Sequence, residues 1–358
     1  MLSMLYSKKR SSIICNNRTD QKDMKANYQS WEVRPDDFYD QKTVSDQLRF
    51  LVQFAVLAPS SHNSQPWKFE VKEHQITIRP DMRRALPKSD INNRQLFISL
   101  GCALENILIA ADYYGFATQV AYQESGATIS LQSVRPEPQQ EKDHLIFSIP
   151  RRHTNRNPYE DQMPGEDFLQ RLKHNEMDDL SITFIKDQSQ KEKIADIVSE
   201  ALITAMDDRG FREELSHYLK SNITRSNLGM PGLGFGMPIL ISLIAPFLIK
   251  YININRVSRK KDESLLKKHT PVFGIITTKG DDRESWIRAG QAYELIALEA
   301  EKDGMKIHPM AAAIQIGDFY KALQSVLSIS LRPQVFFRVG YATKLTAHSP
   351  RMSPEDVM

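Results

Sequence analysis

Residues 58–67 read Ala58-Pro59-Ser60-Ser61-His62-Asn63-Ser64-Gln65-Pro66-Trp67 and are named the serine-asparagine loop below. The loop is short of charge but rich in hydroxyl and amide groups, which offer hydrogen-bond donors and acceptors in several directions. Its two prolines restrict the backbone and lower the entropy cost of holding those groups in place. This composition favours a neutral, planar, hydrogen-bonding ligand over a metal ion or a phosphate group.

Hydrophobic periodicity predicts that helices and strands alternate around this loop. Apolar residues at helical spacing precede it, with Thr43 as the N-cap, and an alternating strand pattern follows it. Gly115 and Gly304 are well placed to end two longer helices. The pattern predicts helices at about 44–56, 93–114, 191–206, 286–300 and 319–326 with another beginning near Glu166, and strands at 67–71, 76–78, 117–122, 128–134, 181–185, 272–278 and 335–339.

Length and composition indicate a globular protein with room for two domains or two similar halves. The chain has 358 residues, of which 41% are hydrophobic and 25% charged, so we expect a substantial core. Its net charge of +3 is small for this length, and no block of like charge indicates a nucleic-acid partner. Cys15 and Cys102 lie far apart, which argues against a disulfide framework and favours the cytoplasm.

Three segments outside the regular pattern are predicted to be irregular. Residues 1–27 lack an apolar segment of signal-peptide length and are interpreted as a poorly ordered extension. Residues 135–142 are interpreted as a polar linker. Residues 221–254 contain glycines and prolines at 229–238 that argue against a regular helix there, and they are interpreted as a lid over a site.

The most apolar run of the sequence lies within this lid. It extends from Phe235 to Ile249, which is shorter than an ordinary membrane-spanning helix, and Pro238 and Pro246 interrupt it. A segment that covers a site and a segment that contacts a membrane surface both remain open, whereas a membrane span is not expected.

A basic cluster lies near the middle of the chain, at Arg151-Arg152-His153-Thr154-Asn155-Arg156. One interpretation is a solvated surface loop, which is common for runs of charge. The other is a phosphate clamp, because guanidinium groups pair bidentately with phosphate and a threonine hydroxyl adds a donor. Only the joint presence of this cluster and the serine-asparagine loop favours the second interpretation.

Two of the predicted helices repeat one pattern. Gly101 opens an apolar stretch that stops at Gly115, and Gly290 opens another that stops at Gly304. The two glycine-to-glycine intervals match, which chance would rarely produce over so many positions. The sequence therefore indicates a duplicated unit whose two copies have diverged.

Three motifs resemble those of the nitroreductase-like flavoproteins. The serine-asparagine loop resembles that family's Pro-Ser-Ser-x-Asn-x-Gln-Pro-Trp loop, and Arg152-x-Thr154-x-Arg156 resembles its Arg-x-Ser/Thr-x-Arg segment. Gly340-Tyr341-Ala342 followed by Ser349-Pro350-Arg351 resembles its C-terminal piece. Members are usually homodimers in which one subunit provides the loop and the other provides the arginine segment. Because this chain carries each segment once, it is similar to the single-chain, pseudo-dimeric branch often called Acg-like.

This resemblance implies an α+β, nitroreductase-like fold with antiparallel-rich central sheets flanked by helices. The two diverged halves, at 28–142 and 143–358, would form an intramolecular pseudo-dimer. The lid would be an insertion at 221–254 in the second half, and it leaves access to the site open to question. A monomer that acts as a pseudo-dimer is expected.

The resemblance also implies FMN as cofactor. The arginine segment and the C-terminal arginine would neutralise its phosphate, and the loop would bond the polar edge of the isoalloxazine and shape the wall beside it. No catalytic side chain is required, since flavin carries the redox chemistry itself, and no metal motif is present. The implied cofactor-binding residues are Pro59, Ser60, Ser61, Asn63, Gln65, Pro66, Arg152, His153, Thr154, Arg156 and Arg351.

The function implied by the resemblance is hydride transfer from NADH or NADPH, through flavin, to a nitroaromatic, quinone or similar acceptor. A different class of function stays open, because an apolar lid could close the site and leave a protein that binds or sequesters FMN with little turnover. Breakdown of flavin by an oxygen-using relative is a third interpretation. The sequence does not choose between the two nicotinamides or name the acceptor.

Overall fold

The computed structural model describes residues 26–133, 144–173, 176, 179–253 and 255–358. The predicted linker at 135–142 and Cys15 lie outside the described residues, as does most of the predicted extension at 1–27. The last two residues of that extension, Ala26 and Asn27, begin a 3-10 helix, and Asn27 is buried. Its amide Nδ2 donates to the Ser226 carbonyl oxygen at 2.9 Å, so this end of the predicted extension is ordered.

The described residues contain the six predicted helices and four further ones. Thr43 caps the first of them by accepting from the Asp46 amide at 3.1 Å, as predicted. The helices are α1 Val44–Ala55, α2 Arg94–Tyr113, α3 Glu166–Lys173, α4 Gln188–Asp207, α5 Arg209–Tyr218, α6 Ile239–Tyr251, α7 Asn255–Lys268, α8 Arg283–Lys302, α9 Ala312–Gln315 and α10 Phe319–Leu327. The sequence pattern did not indicate α5, α6, α7 or α9. Pro238 stands just before α6, but Pro246 lies inside it, so the second proline does not interrupt the apolar run as expected.

The strands form two four-stranded antiparallel sheets, as the predicted α+β class requires. The strands are β1 Trp67–Lys72, β2 Gln75–Pro80, β3 Phe116–Gln123, β4 Gly126–Ser133, β5 Leu180–Ile185, β6 Leu219–Lys220, β7 Met230–Pro231, β8 Val272–Thr278, β9 Lys306–Pro309 and β10 Arg332–Gly340. The first sheet has the order β1-β2-β4-β3 and the second has the order β5-β8-β10-β9, while β6 and β7 form a short parallel pair.

The two large sheets have the same topology. In each, two strands precede a 20-residue helix, α2 or α8, and two strands follow it, with the last strand inserted beside the second. The two helices pack on each other where Gly101 faces Gly290. Gly115 and Gly304 follow the two helices with the same φ of +78°, which glycine adopts without strain. The repeat in the sequence therefore corresponds to two structural halves.

One long segment distinguishes the halves. A tight turn at 73–74 joins β1 to β2, whereas residues 186–271 join β5 to β8 and contain α4, α5, α6 and α7. This connection is longer than the insertion predicted at 221–254. It reaches across to the first half, where the Gly229 amide donates to the Asn63 carbonyl oxygen at 3.2 Å.

The core lies between the sheets and the paired helices. Of the described residues, only α2 is long and apolar enough to cross a membrane, and 83% of its most apolar part is buried inside the fold. Trp67, at the start of β1, is fully buried as expected for an inward-facing strand residue. The Cys102 thiol, in α2, lies 3.3 Å from the Gly290 carbonyl oxygen of α8.

Candidate functional site

A cavity of about 550 Å³ lies where the serine-asparagine loop, the arginine segment and the 186–271 connection meet. This volume is typical of a site for a cofactor or a drug-sized ligand. The cavity lining includes most of the residues that the sequence singles out. They are Pro59, Ser60, Ser61, Asn63, Arg152, His153, Thr154, Arg156 and Arg351.

The serine-asparagine loop has a strained backbone. His62 and Asn63 have a φ of 53° and Gln65 has a φ of 49°. Residues other than glycine rarely occupy this left-handed region of backbone conformation. Such strain persists only where surrounding contacts fix it, and it clusters at functional sites. The Asn63 amide Nδ2 supplies those contacts by donating to the Gly229 and Pro350 carbonyl oxygens, both at 2.9 Å.

Gln65 and Pro66 are the two predicted site residues that do not line the cavity. Both are buried, and both ends of the Gln65 amide bond to protein. Its Nε2 donates to the Asn227 carbonyl oxygen at 2.6 Å, and its Oε1 accepts from the Met352 amide at 2.9 Å. Gln65 therefore ties the loop to the 186–271 connection and to the C-terminal segment, where the sequence had assigned it to the cofactor.

The arginine segment is held on the edge of the second sheet. Thr154 forms an isolated parallel bridge with Ile307 of β9, and the Asn155 amide donates to the Ile307 carbonyl oxygen at 3.0 Å. Asn155 also donates through its side chain to the Lys344 carbonyl oxygen at 2.9 Å. These bonds fix the backbone from which Arg152 and Arg156 extend.

Arg152 and Arg351 converge beneath the serine-asparagine loop. Each donates to the Leu57 carbonyl oxygen, at 3.0 and 3.2 Å, and Arg351 also donates to the Asn63 Oδ1 at 2.7 Å. The Arg152 Nε lies 3.0 Å from the Glu294 Oε1, so the two side chains form a buried ion pair. Glu294 is fully buried, and burial raises the pKa of its carboxyl to about 7 although Arg152 opposes that shift.

Six residues that line the cavity carry buried polar atoms without a hydrogen-bond partner in the described part of the chain. They are the His62 Nδ1, the Arg152 Nη1, the His153 Nε2, the Ser199 hydroxyl, the Tyr293 hydroxyl and the Arg351 Nε. Buried polar groups in folded proteins are almost always paired with protein, water or ligand. Because guanidinium and phenol groups donate, this set fits a ligand rich in acceptor oxygens, and the charge of the lining favours an anion.

Arg156 has a different environment from Arg152 and Arg351. Its guanidinium lies 3.8 Å from the Met230 sulfur and 4.5 Å from the centre of the Phe235 ring. Among the described residues, no carboxylate lies within 4 Å of it. Burial lowers the pKa of Arg156 to about 10, so it stays charged at neutral pH. Arg156 is thus a desolvated cation with no carboxylate partner.

Several groups at this site were not indicated by the sequence. Glu294 stands four residues after Gly290, as Glu105 stands four residues after Gly101, so the repeat could have indicated it. His308 lies in β9 and lines the cavity. The Arg338 Nε donates to the His308 Nδ1 at 3.2 Å, so the remaining ring nitrogen carries the proton. Burial lowers the pKa of His308 well below its ordinary value.

The Glu105 carboxyl at the interface of α2 and α8 should make stability depend on pH. Burial raises the pKa of Glu105 to about 7 from an ordinary 4.5. The folded state then binds more protons between these values, so the contribution of Glu105 to stability is fully present below pH 4.5 and is lost as pH rises through 7. Glu105→Gln should remove on the order of 2 kcal/mol of this fall, measured by urea unfolding at both ends of the range. An unchanged pH dependence would contradict the raised pKa.

Comparison with known proteins identifies sequence relatives of this chain and a solved structure with the same fold. No protein-family model matches the sequence. The sequence is 27% identical over 308 residues to a "Putative NAD(P)H nitroreductase" of Mycobacterium tuberculosis strain H37Rv, covering 83% of this chain and 86% of that relative. It is 22% identical over 333 residues to the "Putative NAD(P)H nitroreductase acg" of the same organism, covering 87% and 94%. A crystal structure of a "putative nitroreductase" from Anabaena variabilis matches with a TM-score of 0.50 and 9% identity, covering 85% of this chain and 91% of that protein. The Anabaena protein therefore shares the fold of this chain.

Proposed function

We propose, from the premise that this chain belongs to the nitroreductase-like superfamily, that it is an NAD(P)H-dependent oxidoreductase with FMN as its cofactor. The two mycobacterial relatives are named putative NAD(P)H nitroreductases, and this chain matches most of their length. The acceptor in this proposal is a small nitroaromatic, quinone or similar molecule. The observation that carries the proposal is the set of six residues with buried, unpartnered polar atoms around one cavity, two of them arginines.

The residues present fit FMN. Its phosphate needs cationic donors, and Arg152 and Arg351 lie together with free guanidinium nitrogens beside the unpartnered His153 Nε2. Ser60 and Ser61 line the same cavity with hydroxyl groups that suit the polar edge of a flavin ring. When bound, FMN would supply the hydride chemistry that no side chain of this chain provides.

The protein's own residues would bind the cofactor, shield it from water and set the electrostatic environment of the site. Arg156 gives the cavity a positive charge, and the neutral His308 ring gives it an N–H donor. Both groups favour a ligand that carries negative charge. Phe235 and Met230 close the cavity beside Arg156 with apolar groups and exclude water from it. Water exclusion strengthens each of these electrostatic interactions.

One chain supplies both sides of this site. The serine-asparagine loop comes from the first half and the arginine segment from the second, and the hydrogen bonds to Leu57 join them. We therefore propose a monomer that works as a pseudo-dimer with a single site. A cytoplasmic location is part of the proposal, since Cys102 is a free, buried thiol and the cysteine content is low.

Spectroscopy tests the cofactor and the reaction separately. Titration of the purified full chain with FMN should quench flavin fluorescence with saturation, and the complex should stay yellow through gel filtration. Anaerobic addition of NADH or NADPH should then bleach the absorbance within minutes. Absence of FMN binding would overturn the cofactor assignment. Binding without bleaching by either nucleotide would overturn the reductase assignment alone.

A protein that sequesters FMN is the second candidate, because the 186–271 connection covers the site closely. Two hydrogen bonds between Asn63 and Gly229 join the serine-asparagine loop to this connection, and the Phe235 ring of the connection lies on Arg156. If this cover excludes nicotinamide, FMN should bind tightly and resist both nucleotides while a small reductant such as dithionite bleaches it. Rapid bleaching by a nucleotide would exclude this candidate.

A further inference from the structure

The α6 helix is apolar on nearly every side and is mostly uncovered. Only three of its 13 residues are buried, namely Ser242, Ala245 and Ile249, and they form the narrow stripe that faces the fold. Leu240 is 76% exposed, Phe247 is 66% exposed and Ile244 is 50% exposed. A helix that is hydrophobic all round belongs in a protein core or in lipid.

The exposed apolar side chains cluster in this one region. Of the 18 exposed large hydrophobic side chains among the described residues, 11 lie between Ile223 and Ile252. Scattered surface hydrophobics are normal, but a contiguous patch indicates an interaction surface. The patch is named the α6 patch. Leu240, Ile244 and Phe247 of this patch do not line the cavity, but Phe235 does, so the patch adjoins the site described above on one side only.

The charge of the segment around α6 indicates the chemistry of the surface that the patch would bind. From Leu219 to Lys261 the sequence has seven basic residues and no Asp or Glu, in a chain whose net charge is only +3. Lys250 lies 3.9 Å from Glu213, and Arg259 pairs with Glu200 at 2.5 Å. Lys220 and Arg225 form no ion pair with any described residue. The seven basic residues are Lys220, Arg225, Lys250, Arg256, Arg259, Lys260 and Lys261.

We propose that the α6 patch docks the protein on an anionic lipid surface, with α6 lying in the interface. At about 1.5 Å per residue, α6 is about 20 Å long, which is shorter than the roughly 30 Å hydrocarbon core of a bilayer. It therefore lies on the membrane without crossing it. Basic residues beside a membrane-contacting segment attract acidic lipid headgroups, and the affinity of an interfacial helix rises with the apolar area that it buries in the lipid.

A second copy of this chain fits the α6 patch less well. A symmetric dimer would place the same patch on both partners, so two basic segments without acidic residues would face each other. Like charges across an interface oppose association. The same segment is complementary to acidic headgroups.

Vesicle flotation tests the proposal with the full chain. The protein should float with vesicles of phosphatidylcholine and phosphatidylglycerol, bind less to phosphatidylcholine alone, and lose the difference at high salt. Leu240→Gln combined with Phe247→Gln should lower vesicle affinity on the order of a hundredfold, since two large side chains no longer enter the lipid. Ile91→Gln is the matched control, because Ile91 is 79% exposed and lies outside the patch.

Each result decides the proposal. Failure of the unaltered protein to bind the anionic vesicles would overturn it, and so would equal binding by the Leu240→Gln, Phe247→Gln variant. Sedimentation without vesicles that shows a dimer, converted to monomer by that variant, would replace lipid by a second copy. Phe247→Trp gives an independent readout, since its fluorescence should shift to the blue with anionic vesicles. An unshifted emission would contradict insertion of α6.

Discussion

Gly290→Ala is expected to lower the free energy of unfolding by about 3 kcal/mol or more. A Cβ at Gly290 would overlap the Ile98 carbonyl oxygen and would lie 3.0 Å from the Gly101 Cα. Both obstacles are backbone atoms of the buried α2 helix, so no side chain can rotate away and the two central helices must separate. Helix propensity alone predicts the opposite sign, because alanine is favoured over glycine in a helix by about 1 kcal/mol. Urea unfolding measures the difference.

Gly165→Ala is the matched control for this prediction. Nothing lies within 4 Å of a Cβ at Gly165, so its stability should change by no more than about 0.5 kcal/mol. Gly101→Ala should behave like Gly290→Ala, because Gly101 meets the Ile287 carbonyl oxygen in the same way. The double variant should cost less than the sum, since one separation of the helices accommodates both methyl groups. A stable Gly290→Ala protein would show that the helices do not pack this closely.

Arg156→Ala is expected to weaken FMN binding by about 1.5 to 3 kcal/mol, or roughly 10- to 150-fold, without loss of stability. Arg156 has no carboxylate partner among the described residues, and its guanidinium contacts Met230 and Phe235 of the 186–271 connection. Its removal therefore takes a cation from the cavity but strands no buried acid. Fluorescence titration with FMN measures the affinity, and urea unfolding of the cofactor-free protein measures the stability.

Arg152 is the less informative target. Its removal would leave Glu294 buried without its cation, which costs about 3 to 5 kcal/mol, so lost FMN binding could reflect lost structure. The control for Arg156→Ala is Arg225→Ala, an exposed arginine that does not line the cavity. Equal FMN affinity of the Arg156→Ala protein and the unaltered chain would show that Arg156 does not contribute to the cofactor site. Reduced stability of Arg156→Ala would show that its structural contacts matter more than its charge.

Much of the architecture could be predicted from local patterns in the sequence. Thr43 and the apolar spacing after it fixed the start of α1, because caps and helical periodicity are short-range properties. The matched intervals of Gly101 to Gly115 and Gly290 to Gly304 indicated two halves, and both sheets have the same strand order. The helix α7 was missed because its sequence is mostly polar. The helix α5 was missed because it is only 10 residues long, so Phe211 and Leu215 are too few to establish a periodic pattern.

The sequence by itself determined which chemical groups are available: a loop of amides and hydroxyls, an arginine segment with a C-terminal arginine, and a duplicated helix with its glycines. Only the tertiary structure decided how these groups are used. Asn63 lines the cavity while Gln65, two residues away, bonds to Asn227 and Met352. Glu294 pairs with Arg152, and the 186–271 connection of the second half covers the loop of the first. Residue type sets which bonds a side chain can form, but its partner depends on packing between segments remote in sequence, and no local pattern encodes that packing.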